Sequence, residues 1–210
     1  HNNRGTYYRT NKKYEDALAD FNKAISLKSD YDLAYNNRGN VYFNQRKFDQ
    51  AGADYTKVLE IKPDNEKAYG NRGGVYIEQK KYDLAEKDLT KALELDPLYL
   101  DAYMNRGVLY SMTNRFDLAK KDYDGYIKYR KNNAMIFHWR GIAQQQMGQH
   151  QAATQDFAKA IQINNKVPDF YYQSAVSYAA LGNKSAALQN AQKAKQLGMA
   201  VDDAFMQSLK

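Results

Sequence analysis

The spacing of small residues constrains the fold of this chain more than any other feature. Five of the 12 glycines recur at a step of 34 residues, and they are Gly5, Gly39, Gly73, Gly107 and Gly141. Ala175 holds the sixth place in this series, and an alanine follows each of the six places twelve residues later. A fixed period of this length is typical of arrays of one repeated supersecondary unit, which stack because no unit can bury its apolar face alone.

Aromatic residues follow the same period and account for many of the 19 tyrosines. In the second repeat, Tyr35 lies four residues before the glycine and Tyr42 lies three residues after it. Each repeat carries two stretches with the i, i+3, i+4, i+7 apolar spacing of an amphipathic helix. Pro63 and Pro97 come after the last apolar residue of their repeats, where a helix should end. Each repeat is therefore predicted to be a helix–turn–helix.

This pattern resembles the tetratricopeptide repeat family, in which each repeat has an aromatic residue, Leu-Gly, Tyr, Ala, a second aromatic residue and a late Pro. The second repeat shows the match through Tyr35, Arg38, Gly39, Tyr42, Ala51, Tyr55 and Pro63. The Tyr-rich Asn-Arg-Gly motif is similar to that of bacterial members. The resemblance implies an all-α, right-handed superhelical solenoid of about six stacked units with a concave and a convex face.

We number each repeat so that its glycine is position 8. The repeats then predict one solenoid over residues 1–210. Its repeats are 1–31, 32–65, 66–99, 100–133, 134–167 and 168–201. His1 falls at position 4, inside a helix, so we expect the first repeat to be truncated and earlier residues to be missing. Residues 202–210 should form a capping helix that Asp202 or Asp203 begins and that covers the last pair with Phe205, Met206 and Leu209.

Two charged columns run through the repeats. Position 7, usually a buried Leu in the family, is Arg in five repeats, and position 23 is Asp in the same five. Ser174 and Asn190 replace both in the sixth repeat. The two positions lie equally far from the turn, so we predict partly buried, bidentate pairs that fix the helix register. A charged ligand site is the less favoured reading of these pairs: Arg4 with Asp20, Arg38 with Asp54, Arg72 with Asp88, Arg106 with Asp122, and Arg140 with Asp156.

The resemblance implies that the first helix of each repeat lines the concave groove. A column of amides there could donate to and accept from an extended peptide backbone, and it comprises Asn3, Asn37, Asn71 and Asn105, with Asn40 beside it. Mostly apolar residues, which suit adaptable or anchoring contacts, follow along the groove, with one histidine among them: Met104, Val108, Met112, Met135, His138, Trp139 and Ile142. The alternatives are that Asn is simply a common residue at this position and that several of the apolar residues pack between repeats.

The net charge of +7 is concentrated partly in the inter-helix turns. These turns carry Lys12-Lys13, Arg46-Lys47, Lys80-Lys81 and Arg115. Such an edge could attract nucleic acid, anionic lipid or an acidic protein. Acidic residues follow each turn and neutralise part of the charge, so we do not expect nucleic acid to be the partner.

Composition argues against catalysis. The chain has no Cys and three His, and it has no phosphate-binding Gly loop, so we expect no catalytic residue, metal site or cofactor. No apolar run approaches the roughly 18 residues of a membrane span, and we expect a soluble cytoplasmic or periplasmic chain. The favoured function is a non-enzymatic module that binds a peptide segment of a protein partner in its groove. The alternatives are an assembly scaffold that self-associates or joins a multiprotein complex, and the recognition arm of a larger enzyme.

Overall fold

The computed structural model describes all 210 residues and contains thirteen α-helices and no β-strand. The helices are α1 Asn2–Thr10, α2 Tyr14–Leu27, α3 Asp32–Asn44, α4 Phe48–Ile61, α5 Glu66–Glu78, α6 Tyr82–Leu95, α7 Leu100–Met112, α8 Phe116–Tyr129, α9 Ala134–Gln146, α10 His150–Ile163, α11 Pro168–Ala180, α12 Lys184–Gln196 and α13 Asp203–Ser208. The chain forms two compact bodies, the N-terminal body His1–Leu109 and the C-terminal body Tyr110–Lys210. None of the helices has the length and apolar character that crossing a membrane requires.

Consecutive helices pack as pairs inside each body. In the N-terminal body α1 packs on α2, α3 on α4 and α5 on α6, and each pair also packs on the next through its second helix. In the C-terminal body α9 packs on α10 and α11 on α12, with α10 against α11. The first helices from α3 onward begin at the residues where the sequence period starts a new repeat. The predicted all-α fold of stacked helix pairs is confirmed.

The repeated glycine is the place where the aromatic side chain of the paired helix packs. A Cβ atom on Gly39 would lie 2.8 Å from Cε1 of Tyr55, and one on Gly141 would lie 2.7 Å from Cε1 of Phe157. Both rings are fully buried. The repeated glycine therefore makes room for the large side chain sixteen residues later, which is Leu89 in the third repeat, and lets the two helices of a pair pack closely.

The turn between the two helices of each pair contains one residue with a positive φ, in the left-handed region of backbone conformation. In the C-terminal body the residue is Gly148 or Gly182, with φ of 72° and 74°, or Asn114 with φ of 57°. Lys12, Arg46 and Lys80 hold this place in the N-terminal body. The next N–H then closes the end of the first helix, as when Lys47 N–H donates to the Tyr42 carbonyl at 2.8 Å.

The short helix α13 covers the end of the last pair. The Asp202 side chain accepts a hydrogen bond from the Ala204 N–H at 2.9 Å and so begins the helix. The Phe205 ring packs edge-on against Tyr172 with the ring centroids 6.0 Å apart, and Leu209 is buried in the same cluster. The capping helix that the sequence predicts is therefore present.

Replacing Gly39 with Ala should destabilise the fold, because the new methyl group would push the buried Tyr55 ring out of its place. Overpacking of this kind costs about 1–3 kcal/mol, which exceeds the gain of roughly 0.5–1 kcal/mol from Ala in a helix. Gly52→Ala is the matched control, since its Cβ would lie 3.5 Å from Val75, an ordinary contact distance. Urea denaturation should show the control to be as stable as the wild type or more so; equal effects of the two changes would contradict this packing.

Candidate functional site

Bidentate Arg–Asp pairs join the two helices of a repeat. Arg38 Nε donates to Asp54 Oδ2 at 2.8 Å, and Arg38 Nη2 donates to Asp54 Oδ1 at 2.6 Å. The same two-bond geometry joins Arg4 to Asp20, Arg72 to Asp88 and Arg140 to Asp156. The aspartates of these four pairs are only 4–5% exposed. The remaining pair, Arg106 with Asp122, would join residues of different bodies and stays a prediction.

The remaining guanidinium nitrogen, Nη1, makes a contact that the sequence reasoning missed. Arg72 Nη1 donates to Thr56 Oγ1 at 3.1 Å, and Thr56 lies at position 25 of the preceding repeat. Asn22, Thr90 and Asp124 hold the same position and accept from Arg38, Arg106 and Arg140. Each of these arginines therefore ties its own repeat to the one before.

The sequence does contain a signal for this contact. Position 25 is polar in the first four repeats and becomes Ala158 in the fifth, directly before the repeat in which Ser174 replaces the arginine. The donor and both of its acceptors are thus lost together, because Asn190 also replaces the aspartate there. Comparing position 7 with position 25 of the preceding repeat would have revealed the link.

Tyrosines cover the guanidinium groups. The Arg38 guanidinium carbon lies 5.3 Å from the ring centroid of Tyr35 and 5.9 Å from that of Tyr42, which are cation–π distances. Arg72 has the same relation to its two neighbouring tyrosines. Hydrogen bonds from Arg4 lower the pKa of Asp20, and hydrogen bonds to Asp54 raise the pKa of Arg38, and both shifts favour the charged pair. Burial of Asp54 opposes them, because it raises the pKa of that carboxyl, and the two short hydrogen bonds from Arg38 offset part of this cost.

A notch in the N-terminal body gathers several of the predicted groove residues. We name it the Asn notch; it has a volume of about 250 Å³ and lies on helices α3, α5 and α7. The predicted groove residues in its lining are Asn40, Asn71, Asn105 and Val108. Gly74 leaves open space on the α5 side of the notch, whereas Gly70 is buried against the Tyr99 ring. Phe43 and Ile77 add apolar surface. The structure thus brings polar amides and apolar side chains together at one concave place.

The amides of the predicted asparagine column differ in how their hydrogen bonds are satisfied. Asn37 Nδ2 donates to Asn2 Oδ1 at 3.1 Å, and Asn71 Nδ2 donates to Asn36 Oδ1 at 3.0 Å. Each acceptor lies 35 residues before its donor.

At Asn105 this series is interrupted, because the residue 35 places earlier is Gly70, which has no side chain. The Asn105 amide has no hydrogen-bond partner within the protein, and its nitrogen lies 3.8 Å from where a Cβ of Gly74 would be. Asn105 therefore offers both a donor and an acceptor at the notch.

The other predicted groove residues lie outside the notch. Asn3 is exposed on α1, and Met104 is half-buried on α7. Asn37 is half-buried on α3, and the remaining predicted groove residues belong to the C-terminal body. There Met112 and Met135 are exposed, Ile142 is half-buried, and the half-buried Trp139 packs against Tyr123 with the ring centroids 6.2 Å apart.

His138 does not belong to a groove, which corrects the expectation from its position in the repeat. It is 3% exposed, and its ring centroid lies 4.8 Å from that of Phe170. His138 Nε2 lies 3.0 Å from Asp169 Oδ2, and this hydrogen bond lowers the pKa of Asp169. Phe157 and Phe170 create an apolar contact surface for the imidazole between helix pairs, so His138 is part of the packing.

Models of the tetratricopeptide repeat match most of the chain. They cover residues 5–46, 33–65, 66–99, 100–133 and 136–167. The chain belongs to the tetratricopeptide repeat (TPR) family. Comparison with curated proteins found no match.

Solved TPR structures have the same fold at low identity. YrrB, described as a TPR protein with an unusual peptide-binding site, is 24% identical, with a TM-score of 0.75 over 89% of this chain and 95% of that one. The pilF protein of Pseudomonas aeruginosa is 18% identical, with a TM-score of 0.84 over 98% and 92%. A TPR protein from Parabacteroides merdae is 22% identical, with a TM-score of 0.68 over 99% and 82%. These likenesses concern the fold alone.

Replacing one partner of an Arg–Asp pair should destabilise the chain far more than replacing both partners with apolar residues. Arg72→Leu leaves the Asp88 carboxylate buried without its partner, and we expect a loss of about 3–5 kcal/mol in the free energy of unfolding. The double variant with Asp88→Leu should recover most of that loss. Lys91→Ala, which breaks the exposed pair with Glu94, is the control and should cost less than about 1 kcal/mol. An Arg72→Leu variant as stable as the wild type would show that the pair does not hold the helices.

The Asp169 carboxylate should make part of the free energy of unfolding depend on pH. Because its pKa is lowered in the folded chain, its contribution is complete above the unfolded value of about 3.9 and is lost as the pH falls below it. The difference in unfolding free energy between wild type and Asp169→Asn should therefore shrink on acidification from neutral pH. Urea denaturation over a pH series measures it, and a difference independent of pH would contradict this assignment.

Proposed function

We propose that this TPR chain is a non-enzymatic interaction module that holds an extended segment of a protein partner in the Asn notch. TPR repeats support a role in protein–protein interaction, and the structure of YrrB carries a peptide-binding site in the same fold. The observation that carries the proposal is the Asn105 amide, which is half-buried at the notch and has no partner within the protein.

The amides of the notch suit a peptide backbone. An extended segment presents N–H and C=O groups in alternation, and an Asn side chain can serve both because it has donor and acceptor atoms. Asn105 offers both kinds of atom. Asn40 Oδ1 accepts from the Tyr55 hydroxyl at 2.7 Å, which orients the Asn40 amide nitrogen as the remaining donor. Asn71 uses its nitrogen on Asn36 and keeps its carbonyl oxygen for a ligand.

The shape of the notch suits one apolar side chain of that segment. Gly74 leaves space on the face of α5 that lines the notch, although a glycine costs a helix about 1 kcal/mol relative to Ala. Phe43, Ile77 and Val108 surround the space that results. A side chain placed there would be desolvated while its backbone reaches the amides. In the C-terminal body, Met112, Met135 and Trp139 are proposed as a further apolar contact surface.

Removing the Asn105 amide should weaken binding and leave the fold intact. Peptides selected from a random display library on the wild-type chain should bind Asn105→Ala at least about tenfold more weakly, which corresponds to roughly 1.4 kcal/mol. The unfolding midpoint should not change, because the side chain bonds to nothing within the protein. Fluorescence anisotropy titration gives the affinity. Asn132→Ala, an exposed Asn outside the notch, is the matched control and should bind like the wild type.

A second variant tests the shape of the notch. Gly74→Ala has room for its methyl group beside Asn105, so the fold should be kept or stabilised while the notch becomes shallower. Gly52→Ala adds the same group to α4 outside the notch. The proposal fails if Asn105→Ala and Gly74→Ala both keep wild-type affinity for every selected peptide.

A further inference from the structure

The turns of the first three helix pairs form a basic edge on the N-terminal body. We define the basic edge as Lys12, Lys13, Arg46, Lys47, Lys80 and Lys81, and all six residues are exposed. The equivalent turns of the C-terminal body read Asn114-Arg115, Gly148-Gln149 and Gly182-Asn183. The concentration of basic residues is thus confined to one body, although the turn itself is common to both.

Three residues of the basic edge hold a backbone conformation that glycine adopts more easily. Lys12, Arg46 and Lys80 have φ of 58°, 59° and 58°, in the left-handed region that is sterically unfavourable for residues with a Cβ. Gly148 and Gly182 fill the same place in the C-terminal body, so glycine is compatible with this turn. The chain therefore keeps three cations at positions where they reduce its stability. Strain of this kind often marks a functional surface.

The cations of the edge are available to a partner. The five lysines make no ion pair within the protein, and Arg46 is 77% exposed, with a long contact of 3.6 Å to Glu78. Two neighbouring carboxylates are occupied by amides of the next repeat. Gln45 Nε2 donates to Glu15 at 3.1 Å, and Gln79 Nε2 donates to Asp49 at 2.7 Å.

Helix ends add to the positive potential of the edge. Lys13, Lys47 and Lys81 are the N-cap residues of α2, α4 and α6, and none of them caps its helix with a side-chain hydrogen bond. The first N–H groups of these helices therefore face the same edge with the positive ends of the helix dipoles.

We propose that the basic edge docks an acidic segment of a protein partner, on a surface distinct from the Asn notch. Carboxylates recur between the cations in the first turn of each second helix, as at Asp49 and Asp83. A continuous phosphate chain would meet them, whereas the separate acidic side chains of a peptide can pair with the lysines alone. Arg46 also covers the Phe48 ring at 5.3 Å, which leaves that ring face closed to a stacking base.

The test uses a fluorescent glutamate-rich peptide of about ten residues as the probe, titrated at low and at physiological salt. The wild-type chain should bind it in a salt-dependent manner. The variant Lys12→Gly/Arg46→Gly/Lys80→Gly should bind at least about tenfold more weakly and yet melt at a higher temperature, because glycine relieves the left-handed strain. Lys13→Gln/Lys47→Gln/Lys81→Gln should lose binding without that gain in stability.

Matched controls separate the edge from net charge and from the notch. Lys23→Gln/Lys57→Gln/Lys91→Gln removes the same charge from the second helices away from the turns and should bind the probe within about twofold of the wild type. Asn105→Ala should also bind it normally, so that failure of the notch and failure of the edge are distinguishable. The proposal is overturned by wild-type affinity in both edge variants, by an equal loss in the Lys23/Lys57/Lys91 variant, or by tighter binding of a single-stranded DNA of equal charge.

Discussion

The buried carboxylate at position 23 is the constraint on which the arrangement of the helices depends. A carboxylate that is 4–5% exposed needs a charged, hydrogen-bonded partner, and the guanidinium fork supplies two parallel donors from the other helix of the pair. The remaining guanidinium nitrogen donates to the preceding repeat, as Arg72 Nη1 does to Thr56. One arginine thereby sets the register within a repeat and the contact between repeats. Tyrosines such as Tyr35 and Tyr42 cover the same guanidinium group at cation–π distance.

This arrangement frees the concave face from much of the packing. Because α5 is held through Arg72 and through the Leu89 contact at Gly73, its other face can carry Gly70, Asn71 and Gly74. Gly70 is packed against the Tyr99 ring, whereas Gly74 leaves open space and Asn71 places polar atoms at the helix surface. The turns show the same division of roles. Lys12 and Arg46 hold a left-handed conformation that costs stability, in a body whose helices the Arg–Asp pairs hold in register.

The sequence predicted the parts of the structure that repeat. The period gave the helix starts at Asp32 and Glu66, and it put Arg38 and Asp54 at the same height in their hairpin, where the structure shows two hydrogen bonds. What it missed depends on neighbouring repeats. The place of His138 is decided by Phe170 and Asp169 of the next repeat, together with Phe157 of its own, and position within a repeat does not contain that information.

The state of Asn105 likewise depends on the residue 35 places earlier. The asparagine column looks uniform in sequence, yet Asn37 and Asn71 donate to a preceding Asn and Asn105 has only Gly70 before it. The most direct test of peptide capture is therefore an NMR titration that follows the side-chain amide signals of the asparagines while a selected peptide is added. The account predicts that the Asn105 and Asn40 signals shift most and that Asn132 does not move. Shifts confined to residues outside the Asn notch would contradict it.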